Sequence, residues 1–128
     1  MQKEKFNNQN QMSPSEKVEI FRSFLEAQNA KDIESIDIQS PESITDILLI
    51  AGANSRRHAQ GLADGITKVC REKGFEFLGM EGYELADWIL VDCNDVIVNI
   101  FQDEPRNLYK LEDLWSRKLQ HRTKDNSL

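Results

Sequence analysis

Apolar residues recur at helical spacing near the start of the chain: Val18, Ile20, Phe21, Phe24, Leu25 and Ala27 predict an amphipathic helix running to about Asn29. Ser13-Pro14-Ser15-Glu16 is its start signal. Ser13 is placed to cap, Pro14 fills the first helical position where no amide donor is needed, and Glu16 can reach back to complete a capping box. The pattern then changes period. Ile33, Ile36 and Ile38 among polar residues suggest a first strand, Ser40-Pro41-Glu42-Ser43 a turn, and the β-branched run Ile44 to Ala51 a central strand. Gly52-Ala53-Asn54-Ser55 breaks that strand, and Asn54 or Ser55 can cap a second helix carried by His58, Leu62, Ile66 and Val69 and stopped at Gly74.

Beyond Gly74, Phe75 to Gly79 is expected to form a short strand and Met80 to Leu85 a loop. Trp88 to Asp92 and Val96 to Phe101 read as two strands joined by the polar hairpin Cys93-Asn94-Asp95. Pro105 to Leu119 spaces Leu108, Leu111, Leu114 and Trp115 as a last amphipathic helix. The expected order is α-β-β-α-β-β-β-α: a single α/β domain with one mixed β-sheet, flanking helices, a crossover helix and no internal repeat. Residues 1–13 are Gln/Asn-rich and aperiodic, a disordered polar tail; the domain occupies 14–116, and 117–128 form a basic C-terminal tail.

Composition supports one core. The 128 residues suit one domain, and 39% hydrophobic content needs no disulfide or metal staple. The longest apolar run, Ile47 to Ala51, is far short of the roughly 20 residues that cross a bilayer. The first residues have no apolar core of a secretion signal, so a cytoplasmic protein without membrane contact is expected. Cys70 and Cys93 stand in no C-x-x-C spacing and read as reduced thiols, Cys70 half-buried on its helix. With His58 and His121 they do not make a plausible zinc set, so no metal and no cofactor is expected.

The net charge of −6 is uneven. Glu76 to Trp115 holds ten acids against only Arg106 and Lys110, whereas Arg117, Lys118, Arg122 and Lys124 make the end basic. An acidic face repels phosphate backbones and attracts basic proteins, although acids also simply keep a domain soluble.

Little of the chain reads as catalytic. Gly52 to Arg57 sits where a strand meets a helix N-terminus, a natural anion site, and a nucleotide-binding or nucleotidyltransferase enzyme using the Gly52–Ser55 turn is the alternative reading. The turn lacks both the dinucleotide glycines and the P-loop Gly-Lys-Ser/Thr, and helix capping explains it. Ser55 and His58 with Asp87 or Asp92 could be drawn as a hydrolase triad, but no nucleophile elbow surrounds Ser55. Asp87, Asp92 and Asp95 surround a hairpin without the D-x-D of a metal-dependent transferase. Tyr83 and Trp88 differ: aromatic residues among acids beside a glycine turn suit a hot spot for a basic partner, with core packing as the competing reading. Trp115 reads as core.

Several blocks in order resemble the ribosomal silencing factor (Iojap-like) family. They are Ser43-Ile44-Thr45-Asp46 with Ile47 to His58, Ala63-Asp64, Gly79-Met80-Glu81-Gly82, Ala86 to Asp92, Asp95-Val96-Ile97-Val98, and Leu108 to Ser116. The resemblance runs from about Val18 to Ser116. It implies a nucleotidyltransferase-like α/β fold without catalytic carboxylates, hence no enzyme. It also implies a translational repressor that binds the large ribosomal subunit mainly through ribosomal protein L-fourteen, with little direct RNA contact. Such binding blocks joining of the small subunit and slows translation when nutrients are scarce. The family's contact surface falls here on Glu81, Gly82, Asp87, Trp88 and Asp92, with Tyr83 beside them and Tyr109 further on. A homodimer of the free protein is left open. Two departures stand out: Asn99 where the family commonly has His, and Cys93-Asn94 where its hairpin usually carries glycine.

Overall fold

In the computed structural model, residues 12–38 and 46–102 are described. Helix α1 spans Pro14–Ala27 and begins with the expected capping box: the Ser13 hydroxyl accepts from the Glu16 amide at 3.2 Å, and the Ser13 amide donates to the Glu16 carboxylate at 2.9 Å. Strands β1 (Lys31–Asp37) and β2 (Ile47–Gly52) follow, then helix α2 (Arg56–Lys73), and strands β3 (Gly79–Glu81), β4 (Trp88–Asp92) and β5 (Val96–Phe101). Ser55, not Asn54, caps α2 by accepting from the His58 amide at 3.0 Å, and Gly74 ends it in the left-handed region at φ 76°.

The five strands form one mixed sheet in the order β1-β2-β5-β4-β3. Only β2 and β5 run parallel; the other neighbours are antiparallel. The parallel pair is joined through α2, as a crossover connection requires. Strand alternation divides the sheet into two apolar faces. Ile47, Leu49, Ala51, Ile89, Val91, Val96, Val98 and Ile100 meet Phe21 and Leu25 of α1 and Leu62 and Ile66 of α2 in the main core. The opposite face gathers Ile36, Leu48, Leu90, Ile97 and Trp88. Three residues apart, Ile33 and Ile36 fall on the first and second faces by alternation, and the strand register shifts between Lys31 and Glu34.

Two expectations change. The third strand starts at Gly79 instead of ending there, because Phe75 is drawn into the core against Phe21, edge to face at 5.8 Å. Pairing with β4 then begins only where the Leu78 amide reaches the Asp92 carbonyl at 2.7 Å. Cys70 is fully buried, not half-buried. Its neighbour is Cys93, with the two sulfurs 3.5 Å apart. The N-terminal tail, the turn at Ser40–Ser43, the last helix with Tyr109 and Trp115, and the basic tail lie outside the described residues. No helix among the described residues is long and apolar enough to cross a membrane.

Candidate partner-binding site

The segment joining β3 to β4 carries most of the expected site residues, and a backbone constraint shapes it. Gly82 takes φ 83°, and a Cβ there would lie inside the van der Waals envelope of the Trp88 carbonyl oxygen. The Gly82 carbonyl accepts from the Ala86 amide at 2.9 Å, closing residues 82–86 into a compact turn. Gly82 therefore acts through the backbone. Gly82→Ala is expected to destabilise the domain by about 1–3 kcal/mol and to displace this turn, as thermal unfolding followed by circular dichroism would register. Gly61, exposed in α2 with nothing in the path of a Cβ, is the control: Gly61→Ala should stabilise by about 0.5–1 kcal/mol.

Side chains from distant elements hold the turn. The Gln60 amide of α2 donates to the Tyr83 carbonyl at 2.8 Å, and the Tyr83 hydroxyl donates to the Asp64 carboxylate at 2.8 Å. That bond raises the tyrosine pKa above the ordinary phenol range. From the end of β5, the Gln102 side chain donates to the Ala86 carbonyl at 3.1 Å and its backbone amide to the Asp87 carbonyl at 3.1 Å. The turn is thus fastened to α2 on one side and to β5 on the other, which presents Asp87 on a fixed backbone.

The site residues do not share one face. Tyr83 packs against the main core on the helix side of the sheet, whereas Trp88 lies with the second apolar cluster. Pairing of Glu81 with Leu90, together with alternation along β4, puts Glu81, Trp88, Leu90 and Asp92 on the face away from the helices. Glu81 and Asp87 are exposed; Asp92 is half-buried and its carboxylate accepts from the Asn94 amide at 3.0 Å. The structure therefore puts Glu81, Trp88 and Asp92 on one face of the sheet, leaves Asp87 in the turn beside Trp88, and gives Tyr83 the part of fixing the turn.

Trp88 is half-buried and committed to the sheet. Its indole stacks on Phe101 with ring centroids 5.5 Å apart and planes 12° apart. Its N–H donates to the Asn99 side-chain oxygen at 2.9 Å. Asn99 is 0% exposed, and its amide donates in turn to the Ile97 carbonyl at 3.3 Å. A buried polar group needs partners, so Asn99 has a defined role in orienting the tryptophan. The sequence pattern assigns it no such role. A signal is nevertheless present, since Asn99 interrupts the otherwise apolar Val96–Phe101 run.

Three exposed apolar side chains also escape the sequence pattern: Phe77 at 41%, Leu78 at 53% and Leu85 at 69% exposure, before β3 and within the turn. They border Glu76, Glu81, Glu84 and Asp87, all exposed, at the β3 edge of the sheet. Apolar contact area ringed by acids is suited to a basic protein surface.

The Gly52–His58 turn has a different character. The Ser55 hydroxyl is used in capping, and the Asn54 amide donates to His58 Nδ1 at 3.0 Å. With Nδ1 accepting, Nε2 carries the hydrogen and donates to the Gln28 carbonyl at 2.8 Å. The imidazole thus joins α2 to the end of α1. Arg56 and Arg57 are exposed.

The family model described as ribosomal silencing factor during starvation, RsfS, matches residues 11–127. The chain is 38% identical over 99 residues to the ribosomal silencing factor RsfS of Haemophilus influenzae, covering 77% of this chain and 97% of that protein. It is 26% identical over 102 residues to the mouse protein named mitochondrial assembly of ribosomal large subunit protein 1, covering 77% of this chain and 45% of that one. A crystal structure of a Chromobacterium violaceum protein superimposes with a TM-score of 0.72 at 30% identity, covering 82% of this chain and 88% of the other.

Proposed function

Because the chain belongs to the RsfS family of ribosomal silencing factors, we propose that it represses translation by binding the large ribosomal subunit through ribosomal protein L-fourteen. Bound there, it prevents the small subunit from joining and lowers translation under nutrient limitation. The mechanism is steric. It requires affinity, bulk and a fixed contact surface, and no bond is made or broken, so the protein works as a repressor and not as an enzyme. The cytoplasm, where subunits join, is its place of action.

The observation that carries this reading is the β3 edge. Trp88 is held by Phe101 and Asn99, Asp87 and Glu81 stand exposed beside it, and Phe77, Leu78 and Leu85 add apolar area. A half-buried, pre-oriented indole next to exposed carboxylates offers both the anchor and the charge complementarity that a basic protein partner recognises. Holding Trp88 in one rotamer before binding lowers the ordering cost of the complex. Glu81, Gly82, Asp87, Trp88 and Asp92 are the proposed contact set, with Tyr83 keeping the turn in place and Tyr109, outside the described residues, as a further contact. The nucleotide-binding alternative draws less support, since Ser55, Asn54 and His58 are engaged in capping and in the tie to Gln28.

Sedimentation with isolated subunits tests the proposal. The protein should pellet with large subunits and not with small ones, and raising salt from 50 to 200 mM should weaken binding by less than about tenfold, because screening acts only modestly across a protein interface. A loss of roughly a thousandfold would assign the binding to RNA phosphates instead. Pelleting with both subunits alike, or with neither, would remove the proposal altogether.

A further inference from the structure

The buried cysteines form a pair whose geometry the ribosome-binding reading does not use. Cys70 lies in the last turn of α2 and Cys93 follows β4, yet their sulfurs are 3.5 Å apart, and both residues are at most 1% exposed. Neither backbone position is loose. The Cys70 carbonyl accepts from the Phe75 amide at 2.9 Å, and the Cys93 amide donates to the Val96 carbonyl at 2.9 Å. Fixed backbones keep the sulfurs facing each other, and an approach of about 1.5 Å would bring them to the roughly 2.05 Å of a disulfide.

We propose that Cys70 and Cys93 are an oxidative modification site, a dithiol that a small peroxide converts to an intramolecular disulfide and a thiol reductant restores. The two thiols have unequal character, which gives the reaction a direction. Its hydrogen bond with Cys93 pulls the Cys70 pKa down, and the Lys17 ammonium assists, against the opposing effect of burial. The same hydrogen bond and burial push the Cys93 pKa well up. Cys70 is therefore the sulfur that attacks hydrogen peroxide. Its thiolate takes one oxygen and becomes a sulfenic acid, while the other oxygen leaves as hydroxide and is protonated to water. Cys93 then attacks the Cys70 sulfur, the S–S bond forms, and the sulfenic oxygen leaves as a second water. Overall, two thiols and one peroxide yield one disulfide and two waters. Reagents reach the pair when the end of α2 opens locally, and the facing thiol captures the sulfenic acid sooner than a dissolved thiol can, which favours the internal disulfide over a mixed one.

The cross-link would close residues 70–93 into one covalent loop. That loop contains the whole turn from Glu81 to Trp88, so oxidation would brace the β3 edge without touching it. Its chemistry is independent of what that edge binds.

Peptide mapping of the folded, full-length protein after brief hydrogen peroxide treatment tests this directly. The expected product is about 2 Da lighter, carries a Cys70–Cys93 linked peptide pair, melts about 5–10 °C higher, and returns to the starting form with dithiothreitol. In Cys93→Ser, which keeps a donor beside Cys70, oxidation should stop at a Cys70 sulfenic acid that dimedone traps. Two thiols that stay free in the folded protein, while the urea-unfolded chain oxidises under the same conditions, would overturn the proposal. So would sulfinic acid or intermolecular disulfides as the main products.

Discussion

Lys17→Ala is expected to cost the domain about 2–4 kcal/mol of stability, lowering Tm by roughly 4 °C per kcal/mol. Lys17 is 5% exposed, its ammonium lies 3.1 and 3.0 Å from the two Asp95 carboxylate oxygens, and it stands 5.3 Å from the centre of the Phe75 ring. Asp95 is no ordinary surface acid either: its backbone carbonyl accepts from the Asp46 and Ile47 amides at 3.0 and 3.1 Å. The pair therefore fastens α1 to the β4–β5 hairpin at the point where β2 begins. The two partners are unequal, because the Asp95 side chain keeps 22% exposure against 6% for Lys17. Removing the lysine leaves an acid that water can reach; removing the acid leaves an ammonium that water cannot. Asp95→Asn should thus be more destabilising than Lys17→Met, which also retains the apolar stem against Phe75. Urea unfolding of the three variants measures this. Equal effects, or all within about 0.5 kcal/mol of the parent, would show that the pair adds nothing beyond packing.

Lys17 also marks a limit of reading the chain by periodicity. Lys17, Phe21 and Leu25 occupy successive i, i+4 positions, so a lysine stands within the apolar stripe. Hydrophobic pattern registers it only as a polar residue, and its partner lies in a hairpin far along the chain. Local signals are the legible ones. Ser13 and Glu16 start α1, Ser55 and Gly74 bound α2, and the Cys93–Asp95 hairpin separates β4 from β5, because caps and tight turns depend on neighbours in sequence. The third strand is displaced from its expected place for the opposite reason. Phe75 and Phe77 alternate as strand residues do, but Phe75 enters the core while Phe77 remains exposed, and pairing waits until Gly79 meets Asp92. The same holds at the candidate site. Composition singles out the acidic, aromatic segment from Glu81 to Asp92, but only sheet register separates Tyr83 on the helix side from Trp88 on the far side. The Asn99 bond to Trp88 crosses from β5 to β4, a relation that neither residue discloses alone.

Trp88→Ala is expected to have two separable effects. The first is on the fold. The variant loses the stack on Phe101, worth about 0.5–1.5 kcal/mol beyond buried area, and leaves the Asn99 side-chain oxygen without its donor in a site that is 0% exposed, at about 1–3 kcal/mol. With the lost area, unfolding should become easier by about 3–4 kcal/mol. Trp88→Phe keeps the stack and most of the area and gives up the hydrogen bond, so it should cost about 1–2 kcal/mol and remain folded. The second effect is on binding. If the indole anchors the complex, its truncation should weaken large-subunit binding by about 2–4 kcal/mol, roughly 30- to 800-fold, under conditions where circular dichroism shows the variant folded. Asp87→Lys isolates the rim. Asp87 is exposed, and it is the backbone carbonyl that Gln102 engages, so charge reversal should leave stability within about 0.5 kcal/mol and still weaken the complex by slowing association. Trp88→Phe with Asp87→Lys combines a tolerated fold with an altered surface. If that protein, folded, blocks subunit joining at the parental concentration, Trp88 and Asp87 are structural residues and the partner binds another face.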